Sequence, residues 1–215
     1  IDLYWIYVNG HGGFAQNSGA SIFDSPFLYP LQHAYFHTFG ARIGGTLNVA
    51  CGLDYNVEGA LQTGTTHGPG IEVDTDGYAV EAELGLTFSK SSKFRIFARG
   101  LYASGPDFDD QAGLDSAGYL ILYPNRHSNG GFRARYGLAD LMPMTNVFSL
   151  QAGLHFDPAC NWTLGATGIW SETAEDFFQG IDSSYGYELD LWAEYRYSER
   201  IAIGVGHQRH PTRRR

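Results

Sequence analysis

The stretch GLDYNVEGALQTG, residues 52–64, alternates between two kinds of side chain. Every second position is apolar or glycine, and the positions between carry Asp54, Asn56, Glu58, Ala60 and Gln62. A period of two predicts a β-strand, since successive side chains in a strand point to opposite faces. The stretch therefore predicts a strand with one apolar and one polar face. It leaves open which of the two faces meets water.

The same alternation recurs along the chain and predicts about nine strands. It is clearest at residues 78–88, 147–156 and 185–197. Noisier versions lie at residues 2–9, 37–47, 93–104, 161–171 and 200–208. The sequence thus indicates an all-β protein.

The connections between these strands alternate in length. Short ones are expected near residues 48–51, 89–92, 157–160 and 198–199, and long ones at 10–34, 64–76, 105–144 and 172–184. This alternation is typical of a transmembrane antiparallel up-and-down β-barrel, with tight periplasmic turns at one end and longer outer loops at the other. A soluble sandwich more often distributes loop length over both ends.

The composition favours a barrel with its apolar face towards lipid. Lysine occurs only at Lys90 and Lys93, whereas a soluble surface of this size would carry more. The clean strands carry no charge on their apolar face, where an arginine or lysine would cost roughly 2–4 kcal/mol at the bilayer midplane. Aromatic residues near predicted strand ends suit the headgroup region: Tyr78, Phe88, Trp162, Trp170, Tyr195 and Tyr197.

Charge and length exclude other classes. The net charge of −9 argues against nucleic acid as a partner, because nucleic-acid binding requires a basic face. No apolar run reaches the roughly 18 residues of a transmembrane helix. The expected partner is outer-membrane lipid. We expect residues 1–215 to form a single β-barrel region of a longer chain, since nine strands leave an open sheet whose edges lipid does not tolerate.

Six segments resemble the alginate-export family of outer-membrane β-barrel porins. They are TFGARIGG (38–45), LDYNVEGALQTG (53–64), YAVEAELGLTF (78–88), LYASG (101–105), LYPNRHSNGGF (122–132) and YELDLWAEYRYSERIAIGVGH (187–207). The resemblance implies the C-terminal half of a monomeric 18-stranded barrel in the outer membrane of Gram-negative bacteria. It also implies a conduit for anionic polysaccharide. The ending GHQRHPTRRR departs from the aromatic-rich segment and last strand with which the family usually continues.

A conduit for a polyuronate requires arginines in its lumen, because guanidinium groups bind carboxylates bidentately and several weak contacts allow both entry and exit. The candidates on predicted strands are Arg42, Arg95, Arg99 and Arg196, and Arg133 and Arg135 lie in the long 105–144 loop. The alternative is that these arginines pair with lumen carboxylates and stiffen the wall. Whether the 105–144 loop enters the pore stays open.

Acidic residues share the same predicted face. They are Asp54, Glu58, Glu81, Glu83, Glu188, Asp190 and Glu194, seven acids against four bases. This balance favours a second reading, a porin of general or cation selectivity. The first reading is passive diffusion of alginate-like polysaccharide or small anionic solutes.

Two further alternatives belong to other classes. A barrel enzyme would need a nucleophile or base beside a histidine, and His127 is the best candidate. A soluble β-sandwich binding module is the other. The sequence has no hydrolase, metalloprotease, phosphate-binding or haem motif, so we expect no enzyme, no cofactor and no metal site. The aspartates of residues 105–115 leave a choice between a calcium site and a solvated loop.

Overall fold

The computed structural model describes residues 1–11, 33–48, 52–68, 71–88, 92–105, 107–109, 113–116, 118–120, 127–128, 133–134, 136, 145–175, 184–198 and 201–209. These residues form fourteen strands, in chain order β1 Asp2–His11, β2 His33–Asn48, β3 Gly52–Gly68, β4 Ile71–Asp74, β5 Gly77–Thr87, β6 Arg95–Ala103, β7 Asp107–Asp109, β8 Gly113–Ser116, β9 His127–Ser128, β10 Arg133–Ala134, β11 Val147–Ala159, β12 Trp162–Glu172, β13 Ser184–Arg196 and β14 Ala202–Arg209. No helix among the described residues is long and apolar enough to cross a membrane.

Nine of these strands are long, and they coincide with the nine predicted from the sequence. They pair in the order β1-β2-β3-β5-β6-β11-β12-β13-β14, each antiparallel to its neighbour. The prediction of an all-β, up-and-down antiparallel architecture is thus confirmed. The expected total of 18 strands goes beyond the strands described here and stays a prediction.

One predicted long connection is itself strand. Strand β3 continues past residue 64 to Gly68 and returns as β4, which pairs with it from Thr65↔Asp74 to Gly68↔Ile71. The alternation vanishes from the sequence here because threonine and histidine occupy positions on both faces of the strand. The hairpin therefore extends one end of the sheet beyond its apolar band.

The two faces of the sheet are inverted relative to a soluble protein. The apolar face is exposed, as at Leu61 (63%) and Leu84 (58%). The polar face is largely covered, with Glu81 6% exposed and Asp190 2% exposed. The polar face thus points to the interior, and the apolar face points away from the protein. Strand β14 adds one basic residue, Arg209, to the apolar side, opposite Leu189.

Aromatic side chains border the apolar face at both ends. At the outer end, the end of the long connections, Tyr78 stacks on Tyr102 with ring centroids 5.4 Å apart. At the other end, Trp162 packs against Tyr195 at 5.0 Å. The outer belt also includes Phe148 and Trp170, and the inner belt includes Phe88, Phe94 and Phe156.

The separation of the belts matches a bilayer. Tyr78 and Phe88 belong to opposite belts and are ten residues apart along β5 and its end. At about 3.4 Å per residue and a tilt of about 45°, this spacing gives an apolar band about 25 Å tall. An apolar band of this height is that of an outer-membrane barrel.

Candidate channel-lining site

Two of the predicted arginines lie on the polar face of β6, the fifth of the nine long strands in the sheet order. Arg95 donates from Nε to Asp54 Oδ2 at 3.0 Å and from Nη2 to Glu83 Oε1 at 2.7 Å. Arg99 donates from Nε to the other Glu83 oxygen at 2.7 Å, and its Nε lies 4.0 Å from Glu81 Oε1. Both guanidinium groups are therefore held by carboxylates of β3 and β5.

The register of the strands creates this network. Arg95 and Arg99 are four residues apart on one strand, so the period of two puts both on one face. Glu83 lies directly opposite Arg99. Gly85 provides the space through which Arg95 reaches Asp54, since a Cβ on Gly85 would lie 2.2 Å from Arg95 Nη2.

Phe97 supports both arginines from between them. The guanidinium carbons of Arg95 and Arg99 lie 5.3 Å and 5.8 Å from its ring centroid, within cation–π range. The ring lies close over Gly153, where a Cβ would come within 2.6 Å of Phe97 Cζ. The contacts leave Arg95 and Arg99 little rotational freedom, as expected of groups that stiffen the wall.

Arg42 on β2 has a different environment. Its side chain is exposed, and its Nε donates to Asn56 Oδ1 at 2.6 Å. It makes no ion pair with any residue that the structure describes, although Glu58 lies opposite it in the register. Glu58 instead accepts a hydrogen bond from Tyr4 Oη at 2.9 Å. Arg42 therefore keeps donors for a soluble anion.

The remaining predicted arginines are divided between the strand ends and the long loop. Arg196 closes β13, is 65% exposed, and has Nη2 3.5 Å from Glu194 Oε1. Arg133 pairs with Ser128 through the backbone of β10, and its side chain lies outside the described part. Arg135 lies outside the described residues altogether.

All the predicted acidic residues lie on the polar face. Glu81 and Glu83 face Arg99, whereas Glu188, Asp190 and Glu194 are buried along β13. The seven predicted acids and the four predicted bases share the polar face of the long strands, and Asp2 of β1, opposite Arg42 in the register, adds a further acid. The structure brings the acids of β3 and β5 together with the bases of β6. The acids of β13 lie five strands away from β3 in the sheet order.

The long 105–144 loop supplies residues that the sequence did not place. Residues 118–120, named here the inner segment, and Tyr136 lie against the polar face of β3, β5 and β6. Burial raises the pKa of the Tyr119 phenol to about 12, and the nearby Glu58 carboxylate contributes. The phenol therefore stays neutral at physiological pH. Nothing in the sequence ties Leu120 to Gln62, its partner 58 residues earlier.

The described residues offer no metal site: none of them form a group of three or more His, Cys, Asp or Glu side chains able to hold an ion. Asp110, one of the aspartates of the outer loop, lies outside the described part of the chain.

Comparison with known proteins supports the architecture. No curated protein matches the chain. The sequence model of the family described as Alginate export matches residues 3–180, most of the chain. This is an outer-membrane transport-channel family, as the resemblance of the six segments implied. The chain belongs to the alginate export family.

Proposed function

We propose that the chain forms part of the wall of a bacterial outer-membrane channel, through which alginate-like polysaccharide or small anionic solutes pass by passive diffusion. The observation that carries this proposal is the exposed apolar face and the covered polar face of the sheet. An exposed apolar face bounded by two aromatic belts suits lipid, and a charged face turned inwards suits a water-filled lumen. Membership of the alginate export family supports the choice of solute class.

The proposal includes further strands. Among the described residues, β1 pairs only with β2, and β14 only with β13. An open edge in lipid would leave backbone groups without hydrogen bonds, so these edges require partners. We therefore propose that residues 1–215 form one region of a longer barrel, monomeric when complete, with lipid and the anionic sugar as its partners.

Arg42 is the residue that we assign to solute contact. Its guanidinium is exposed on the polar face, whereas those of Arg95 and Arg99 are engaged by carboxylates. A guanidinium forms paired hydrogen bonds with a uronate carboxylate. A single exposed contact is weak enough for the solute to leave again, which conduction requires.

Arg42→Ala is expected to weaken block of the channel by oligouronate by about two- to fivefold, the range of an exposed charge pair. Arg42→Lys should fall between wild type and alanine, because it keeps the charge and loses the bidentate geometry. The measurement is current block by added oligouronate in planar bilayers. Arg209→Ala is the matched control, since Arg209 is exposed on the opposite face. Equal block in Arg42→Ala and wild type would remove Arg42 from the solute path.

A second candidate is a porin of general or cation selectivity. The excess of carboxylates on the polar face favours it, because a negative lumen attracts cations. Arg95 and Arg99 balance only part of this charge, since Asp54, Glu81 and Glu83 all face them.

The test is the reversal potential of the full-length protein in a planar bilayer with a salt gradient, followed by addition of oligouronate. Anion-selective current that oligouronate blocks supports the proposal. A cation-selective current that oligouronate does not block would agree with a channel but would reject an anionic solute as its substrate. Absence of current rejects both channel readings. The enzyme alternative gains no support, since the family transports solutes and the His127 side chain lies outside the described part.

A further inference from the structure

Gln62 holds the inner segment through both ends of its amide. Its Nε2 donates to the Leu120 carbonyl at 2.7 Å, and its Oε1 accepts from the Leu120 N–H at 2.6 Å. The amide thus pairs with the loop backbone as a neighbouring strand would. Nε2 also lies 3.1 Å from Thr38 Oγ1 on β2, which fixes the orientation of the amide. Gln62 and Leu120 are each 4% exposed.

The segment is fixed at a second point by its backbone. Tyr119 N–H donates to the Ser104 carbonyl at 3.2 Å, and Thr145 Oγ1 donates to the Tyr119 carbonyl at 2.6 Å. Gly77 of β5 lies directly beneath, where a Cβ would come within 2.3 Å of Tyr119 N and 2.4 Å of the Gly118 carbonyl carbon. Only a glycine lets the inner segment lie so close to the sheet.

Tyr136 extends the covering towards β6. Its hydroxyl donates to Glu81 Oε2, and Arg99 lies 5.9 Å from its ring centroid. Tyr136 is 8% exposed, although it belongs to the long loop. Residues 118–120 and Tyr136, which belong to this loop, therefore lie over the polar face of three strands.

The inner segment covers the polar face of β2, β3 and β5 near the long connections. Towards the long connections, Thr38 and Gln62 are 2% and 4% exposed. Towards the short turns, Asp54 and Asn56 are only partly buried, and Arg42 is exposed. The inner segment therefore covers the outer half of β2 and β3, where the polar side chains are buried, and the polar side chains of these two strands nearer the short turns are more exposed.

We propose that Gln62 is a positioning residue that holds the inner segment in the channel interior, and that this segment sets the size limit for passing solutes. The inference rests on the proposed channel function and deepens it. A solute that crosses must pass between the inner segment and the opposite wall. The two hydrogen bonds between Gln62 and Leu120 fix how far the inner segment extends from the sheet into the lumen.

The test compares two variants of the full-length protein that displace the segment by different means. Gln62→Ala removes both hydrogen bonds to Leu120. Gly77→Ala leaves the amide in place and pushes the backbone of residues 118–119 off the sheet. Thr167→Val is the matched control, because Thr167 is a buried polar residue of the same face, four strands away from β3. The readouts are single-channel conductance and the largest polyethylene glycol that enters the pore.

Gln62→Ala is expected to raise the conductance and to admit larger polymers, with the share of time in the higher-conductance level rising roughly tenfold on loss of the two buried hydrogen bonds. Gly77→Ala pushes residues 118–119 away from the sheet and further into the lumen, so it should lower both the conductance and the size limit. The control should match wild type. If the wild type conducts and both variants have the same size limit as the wild type, this inference is overturned and the proposed channel function is unaffected. Absence of current in the wild type would reject the channel itself. Correct folding of each variant is checked on gels by the change in its electrophoretic migration on heating.

Discussion

Replacing Arg99 with leucine is expected to destabilise the folded protein by about 3 kcal/mol, because a buried carboxylate then loses its cation. The side chains of Arg99 and Glu83 are 14% and 18% exposed. Without the Arg99 guanidinium, Glu83 keeps its ion pair with Arg95. Glu81 loses the cation that lies 4.0 Å from its Oε1. The measurement is urea unfolding of protein refolded into lipid vesicles, followed by tryptophan fluorescence.

Two variants separate the loss of the ion pair from a loss of packing. The double replacement Arg99→Leu with Glu83→Leu removes the charge together with its partner, and should recover most of the stability, because Arg95 keeps Asp54. Arg42→Leu removes an exposed arginine and should change the stability by less than about 1 kcal/mol. A single variant Arg99→Leu as stable as wild type would show that Arg99 does not brace the wall.

The long strands could be predicted because the signal for them is local. In the stretch 52–64 the alternation by itself separates Asp54 and Glu58 from Leu53 and Val57, and the structure puts these sets on opposite faces. The choice of lipid for the apolar face followed from what the sequence lacks, namely lysine and charges on that face. The 63% exposure of Leu61 agrees with this choice.

The role of each arginine could not be predicted, because it depends on contacts between strands. The sequence put Arg42, Arg95 and Arg99 on one face as equivalent candidates. Pairing of β5 with β6 puts Glu83 opposite Arg99, and the bare backbone of Gly85 admits Arg95. These two arginines accordingly fit the wall-stiffening alternative, and Arg42 remains for solute contact.

The inner segment escaped prediction for a related reason. Leu120 carries no periodic signal, and its partner Gln62 resembles any other polar position of β3. The two hydrogen bonds join residues that the fold alone brings together, and both use the backbone of Leu120. A backbone partner leaves no trace in the identity of the side chain.

Replacement of Leu84 with arginine is expected to cost about 2–4 kcal/mol of folding free energy in vesicles, because its side chain would lie in lipid near the bilayer midplane. Leu84 is on the apolar face of β5, between Tyr78 and Phe88 of the two aromatic belts, and is 58% exposed. In a soluble protein, a substitution at so exposed a position would change stability by no more than about 0.5 kcal/mol. Unfolding titrations in vesicles measure the difference.

The position of the arginine along the strand distinguishes lipid from water as the cause. Thr63 is exposed on the same side of the neighbouring strand β3, two residues beyond Leu61, which lies opposite Tyr78 of the outer belt. Thr63→Arg should therefore cost only about 0–1 kcal/mol, the value near the membrane interface. Equal small costs at both positions would show that the apolar face meets water or protein. A steep difference would establish that the exposed leucines and valines of this sheet are solvated by lipid, which makes the charged face the wall of the pore.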